Sequence, residues 1–526
     1  MISPVLTSRS ALMAAFLFSA AAGPSFCGQL PAAKLDPLAH PAANQGQAAC
    51  SATEASCAEA AAKILPQVLG PSPLEGNLRR LTDEIGGRVT GSPEMAQAVY
   101  WAVAAFRAEG IDVHTEKYKL PLTWKEGETR LEMLGPHKLP LRLASLGWSP
   151  PIPSGGIEAN LLDIGYGTEH DFVRAGESVK GAILLVSTQL GSRWADLFNE
   201  YAQPPPVIDR AVKNGAAAIL WMGARERLLL YRHTNSSDAN LERIPQAIVA
   251  REDAMRLTRT IASNPEHLRV RFSMPNKIGP AVEQENVVGE IRGRETPDEA
   301  VILGAHLDSW DLGTGALDNG CNAALVIEAA RVIKATGLLP RRTIRFVLFT
   351  GEEQGMFGSW QYALAHRAEL DKIPGVIIFD SGVGRVTGYS LTGRADIEDG
   401  VREILKPLDS WDIGHHTLDG DIGTDNWDFF LEGVPTLVAE QEEANYLPNY
   451  HAASDTFDKV DIRELKMNAA IAAITAWGIA DRADRLGKRL SRAEIGALLK
   501  ETHIDEKMRQ SGYWEPWQNG VRGRKP

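Results

Sequence analysis

Ala300 to Thr336 reads AVILGAHLDSWDLGTGALDNGCNAALVIEAARVIKAT. It opens with a short apolar run, Ala300 to Leu303, of the kind that fills a central strand buried on both faces. It closes with a strong helix, Ala323 to Thr336. Between them lie His306, Asp308 and Asp318, three polar side chains in the loop between a strand and a helix. A strand, a residue-rich loop and a helix are the unit of an open α/β sheet, in which sites form at the carboxyl ends of strands.

The unit recurs outward from this stretch. Thr343 to Phe349, Val376 to Phe379 and Thr436 to Ala439 are further buried strands. Ser359 to Leu370, Val401 to Leu408 and Ile462 to Ala480 are further helices. The fold class expected is therefore α/β, a three-layer sandwich with a mostly parallel central sheet. Each new strand delivers chemistry at its end. Glu352 and Glu353 follow TIRFVLFT, Asp380 closes GVIIF, and His451 lies in a loop after TLVAE.

His306, Asp318, Glu353, Asp380 and His451 make two imidazoles and three carboxylates. That set serves two adjacent divalent cations if one carboxylate bridges, and Asp318 has two oxygens with which to do so. Such cations polarise a carbonyl and lower the pKa of the attacking water. Glu352, beside Glu353, is placed to accept a proton. Asp308, two residues after His306, is the candidate carboxylate to orient that imidazole through its other ring nitrogen. Singly, each has a plainer explanation: a His-x-Asp is weak, a Glu-Glu pair is usually a solvated surface, and Asp380 would serve as a turn cap. Together, at the strand ends of one α/β block, they define a metal site.

The segments HLDSWDLGTGALDNG, TGEEQG, FDSG and YHAASDTFDKVD, with the glycine-bracketed GGRVTGS upstream, resemble the co-catalytic zinc exopeptidases of metallopeptidase family 28, in particular its carboxypeptidase Q branch. The resemblance runs from about Leu74 to Asp481. It implies one zinc held by His306, Asp318 and Asp380, and a second held by Asp318, Glu353 and His451. It implies Glu352 as the general base that returns the proton to the leaving amine, with Asp308 steadying His306. Manganese or cobalt suit the same mixed donors. It also implies a peptide or dipeptide substrate and a homodimer. Gly423-Thr424-Asp425-Asn426 stands where many relatives have Ser-Asp-His, so Asn426 departs from the pattern. Tyr446 and Tyr450 are alternative oxyanion donors or packing aromatics, and Cys321 has no assigned role.

The remaining chain divides by texture. Residues 1–27 read as a signal peptide: Arg9 precedes the short apolar run Ala11 to Ala22. Cys27 lacks the aliphatic residue expected three positions before a lipidated cysteine. Residues 28–62, rich in Ala, Pro, Gly and Gln, read as a flexible linker, within which Cys50 and Cys57 lie close enough to pair in an oxidising compartment. The catalytic domain is expected over 63–150 and 281–485, and 486–526 reads as a tail with one amphipathic helix from about Leu490, then Trp514, Trp517 and basic residues, and no clear core. Residues 151–280 read as an inserted β-rich module, which the resemblance likens to a protease-associated domain. The 55 Lys and Arg against 67 Asp and Glu give a formal charge of −12. No sustained basic run offers a nucleic-acid surface. No segment beyond the signal is apolar enough for a membrane, so a secreted or periplasmic protein is expected. The functions in play are peptide hydrolysis, a glutaminyl cyclase-type acyl transfer requiring one metal, and a non-catalytic binding protein of the same fold.

Overall fold

A computed structural model describes residues 51–135, 139–236, 238–263, 268–420 and 422–525. The expected signal peptide, most of the expected linker and Cys50 lie outside the described residues.

The main sheet has seven strands in the order Asp112–Leu120, Val282–Ile291, Arg342–Phe349, Thr296–His306, Val376–Ile378, Thr436–Gln441 and Val386–Ser390. The four strands from Arg342–Phe349 to Thr436–Gln441 pair in parallel. The outer pairings on both sides are antiparallel. The expected α/β sandwich is present, with its parallel pairing confined to the centre. Side chains alternate across the strands as the pleat requires. Val301, Leu303 and Ala305 point into one apolar layer with the helices Cys321–Ala335 and Ile462–Asp481. Ala300 and Ile302 point into the other, against Tyr362 and Phe429.

Three expectations are corrected. The linker expected to reach residue 62 gives way at Ser51 to an 18-residue helix, Ala52–Leu69. Ser51 and Glu54 cap it reciprocally, and alanine, the best helix former, fills its interior. Its buried stripe, Cys57, Ala60, Ala61, Ile64 and Val68, joins the main core. Cys57 is buried and has no disulfide partner among the described residues, lying where a Cβ added to Gly478 would meet its sulfur at 3.0 Å.

The central module is not predominantly β. Its seven-stranded sheet draws on strands from Arg130–Met133 to Arg269–Met274, so it begins before residue 151. Its centre is parallel, with apolar layers on both faces: Ile183 and Leu185 point to one, Leu184 and Val186 to the other. In sequence it lies between Asp112–Leu120 and Val282–Ile291, which are antiparallel neighbours in the main sheet. A two-stranded ribbon, Thr123–Lys125 with Lys277–Gly279, closes its neck.

The tail has a core. Helices Arg492–Glu501, Ile504–Gln510 and Trp514–Gln518 bury Ile495, Leu499, Ile504, Met508, Trp514 and Trp517 against Met356, Trp427 and Phe430. No helix among the described residues is long and apolar enough to cross a membrane.

Candidate metal centre

Three adjacent parallel strands aim their carboxyl ends at one point. His306 ends Thr296–His306, Glu352 and Glu353 follow Arg342–Phe349 by a two-residue turn, and Asp380 follows Val376–Ile378. His451 comes from the loop after Thr436–Gln441, the next strand along. Asp318 lies in the loop that leads into the helix Cys321–Ala335.

The five predicted ligands form two overlapping triads, His306–Asp318–Asp380 and Asp318–Glu353–His451. His306 Nε2 is 2.9 Å from Asp380 Oδ1 and 3.2 Å from Asp318 Oδ1. His451 Nε2 is 3.3 Å from Asp318 Oδ2 and 3.0 Å from Glu353 Oε2. Each oxygen of Asp318 thus faces a different imidazole. The four residues His306, Asp318, Glu353 and His451 are buried. Glu353 Oε1 and His451 Nδ1 have no hydrogen-bond partner among the described residues. Buried polar atoms are normally satisfied. Crowded nitrogen and oxygen donors with unsatisfied atoms fit divalent cations, and two triads sharing one carboxylate fit two of them.

The electrostatics of the metal-free site carry the same signature. Burial opposes charge on His451, but Glu353 and Asp318 outweigh it and raise its pKa to about 10. Burial likewise works against the His306 imidazolium, and Asp380 with Asp308 and Asp318 drives it upward. Glu353 is raised to about 7 by burial and by Asp318, against the pull of His451. Glu352 is pushed well up, first by burial and then by Asp380 and Glu353. It lines the cavity beside the triads, as a proton acceptor must.

Asp308 is placed differently from the expectation. The acceptor nearest His306 Nδ1 is the Asp308 carbonyl, at 3.0 Å, and its carboxylate is 3.6 Å away. That carboxylate accepts instead from Thr90 Oγ1 at 2.9 Å and from the backbone N–H groups of Glu352 and Glu353 at 3.2 and 3.3 Å. It therefore ties the glutamate pair to the His306 loop. Asp425 is fully buried, with burial raising it to about 8; its neighbour Thr424 reaches the cavity wall. Tyr446 donates to Asp318 Oδ2 at 3.0 Å. Tyr450 stacks on His451 with ring centroids 3.7 Å apart. Cys321 is buried, its thiol directed at the Leu317 carbonyl.

Two positioning residues were not singled out from sequence. Asp455 accepts the backbone N–H groups of Ala316, Leu317 and Asp318 at 3.1, 2.7 and 3.1 Å, fixing the bridging loop. Arg88, fully buried, donates to the carbonyls of Leu307, Thr314 and Gly315. It clamps the two ends of the His306–Asp318 loop. Both lie inside the quoted segments GGRVTGS and YHAASD, though nothing in those segments assigns them a role.

The site opens into a cavity of about 410 Å³, within the range of small-ligand pockets. The central module supplies part of its wall, including Trp194, Phe198, Tyr201 and His233, and the tail supplies Lys507, Ser511 and Tyr513. The module is joined to the His451 loop by backbone bonds: Arg232 N–H donates to the His451 carbonyl at 3.0 Å, and Ala453 N–H to that of Leu230 at 2.9 Å.

Residues 286–476 match the family model described as peptidase family M28. Carboxypeptidase Q of Mus musculus is 31% identical over 409 residues, covering 77% of this chain and 85% of that protein. Among solved structures, a peptidase M28 precursor from Shewanella amazonensis SB2B superposes with a TM-score of 0.75 at 26% identity, over 83% of this chain and all of that one. A zinc aminopeptidase from Bacillus subtilis shares the fold, with a TM-score of 0.62 at 20% identity over 80% of this chain and 97% of that one.

Proposed function

Because the chain belongs to peptidase family M28 and is a metallopeptidase, we propose that it is an exported exopeptidase that cleaves dipeptides or the N-terminal residue of peptides. One zinc would be held by His306, Asp318 and Asp380, and the other by Asp318, Glu353 and His451. The observation that carries this reading is the pair of triads sharing Asp318, with Glu352 on the cavity wall beside them. Ions held there supply Lewis acidity at the scissile carbonyl and acidify the attacking water.

The protein's own groups do the rest. Glu352 takes the proton of the attacking water and hands it to the leaving amine. Without metal, burial and the neighbouring carboxylates Asp380 and Glu353 push its pKa up. Asp308 holds the backbone of the pair, so that Glu353 faces His451 while Glu352 faces the cavity. Tyr446 and Asp455 fix Asp318 from two sides. The apolar walls from the central module, which we read as protease-associated-like, keep bulk water from the site. The Arg9 and Ala11–Ala22 leader supports export.

The test is Glu352→Gln, assayed for metal and for hydrolysis in one preparation. The expected protein keeps wild-type zinc by elemental analysis and loses roughly 10²- to 10⁴-fold in kcat. Wild-type turnover in the variant would remove Glu352 as the base. Zinc-loaded wild type that cleaves neither dipeptides nor unblocked longer peptides would refute the exopeptidase reading itself.

A further inference from the structure

The cavity wall includes a stretch from the far end of the chain, beyond the 286–476 region matched by the family model. Ile504 and Met508 anchor the helix Ile504–Gln510 in the apolar cluster that also holds Met356, three residues after Glu353. The helix lies directly on the loop that follows Asp419: a Cβ added to Gly420 would meet Ile504 Cδ1 at 2.1 Å. Arg522 donates to the Gly355 carbonyl at 2.6 Å. The backbone of Lys507 is thereby fixed relative to the catalytic loop.

Lys507 itself is exposed at the cavity wall. Its Nζ lies 3.5 Å from the Gly420 carbonyl, and it forms no ion pair among the described residues. It is the only lysine or arginine among the described lining residues, whose acids are Asp318, Glu352, Glu353, Asp380, Asp419 and Glu440. The two triads and the base account for the first four. A short peptide with both termini free carries one obligatory anion, its α-carboxylate. Zinc held in the triads would offset the charge of their own carboxylates, and away from the triads Lys507 is the lining side chain that offers this group a charged donor.

Building on the exopeptidase reading, we propose that Lys507 binds the α-carboxylate of the substrate's C-terminal residue, so that peptides with a free C-terminus are preferred over C-terminally blocked ones. A C-terminal amide lacks the charge altogether.

The experiment compares one dipeptide with its C-terminal amide, using zinc-loaded wild type, Lys507→Gln and Lys507→Arg. Folding is checked by thermal melting; the exposed position should leave it unchanged. A charge-assisted hydrogen bond is worth about 1.5–3 kcal/mol, so wild type should favour the free acid by roughly ten- to a hundredfold in kcat/KM. The preference should collapse toward unity in Lys507→Gln through KM, and persist in Lys507→Arg. Equal use of acid and amide by wild type, or an undiminished preference in Lys507→Gln, overturns the proposal while leaving the peptidase reading intact. Failure of wild type on both substrates and on longer peptides overturns both.

Discussion

The phenolic oxygens of Tyr201 and Tyr450 are 2.5 Å apart, joining the central module to the ring stacked on His451. Both tyrosines line the cavity. Behind them Arg225, buried and paired with Glu200, lies over the Tyr231 ring at 4.7 Å and within 5.9 Å of the Tyr450 ring. The module thus reaches the metal ligands through a side-chain pair as well as through the backbone bonds at Arg232 and Ala453. It forms a fixed wall of the site.

Tyr201→Phe removes one hydroxyl and nothing else from that wall. A net hydrogen bond contributes about 0.5–1.5 kcal/mol, so the melting temperature should fall by only a few degrees. If the pair positions Tyr450 over His451, kcat should drop several-fold at unchanged zinc content, and Tyr450→Phe should add little in the double variant. Additive losses would mean that the two hydroxyls act separately.

Loading the site with zinc should release protons. In the metal-free protein His306 and His451 are held protonated, His451 up to about 10, because the carboxylates around them outweigh burial. A metal ligand must be the neutral imidazole. Zinc affinity should therefore rise with pH between about 6 and 9, and calorimetry in buffers of different ionisation enthalpy should show net proton release. The sign for folding is opposite in the apoprotein. A histidine raised from 6.5 to about 10 stabilises fully below 6.5 and loses that contribution as pH rises through 10. Stripped protein should accordingly lose stability across that alkaline window, and the zinc-loaded protein should lose less. Proton uptake on loading would contradict the assigned protonation.

The candidate metal-ligating residues were legible because His306, Glu353 and Asp380 end or closely follow apolar strands and Asp318 and His451 lie in the loops beyond such strands, so local pattern and sheet topology together put them at one edge. Asp455 was not: its function is to accept backbone N–H groups about 137 to 139 residues earlier in the chain, and nothing in its neighbours specifies that partner. The helix Ala52–Leu69 was hidden by composition, since the alanines that resemble a linker are also the best helix formers. The central module gave up its strands readily but not its helices' role, because a cavity wall built from Trp194, Phe198 and Tyr201 depends on how two sheets meet. The tail failed for a related reason. Its three short helices have little periodicity of their own, and their apolar partners, Met356, Trp427 and Phe430, lie far back in the sequence.

The tail's part in the site yields the last prediction. Arg522 is buried, with a nitrogen 3.5 Å from Asp428 Oδ2 and its guanidinium 4.5 Å from the Trp360 ring centroid. It also donates to the Gly355 carbonyl, two residues past Glu353. Asp428 is itself 1% exposed, and burial raises its pKa to about 6 despite the guanidinium. Replacing Arg522 with alanine leaves that carboxyl buried without its cation. Breaking a buried pair from one side costs about 3–5 kcal/mol, less here because Asp428 can take up a proton. The loss should be smaller at pH 5 than at pH 8, since without the guanidinium that lowers its pKa the stranded group stays neutral to above about 6. Activity should fall alongside, because the turn carrying Glu352 and Glu353 loses an anchor. Arg522→Lys, which restores charge but not the planar fork, should recover stability more than kcat. Thermal melts of both variants at the two pH values, with dipeptide kinetics at the higher one, test this. A pH-independent loss would show that Arg522 acts through packing on Trp360 and Tyr513 rather than through Asp428.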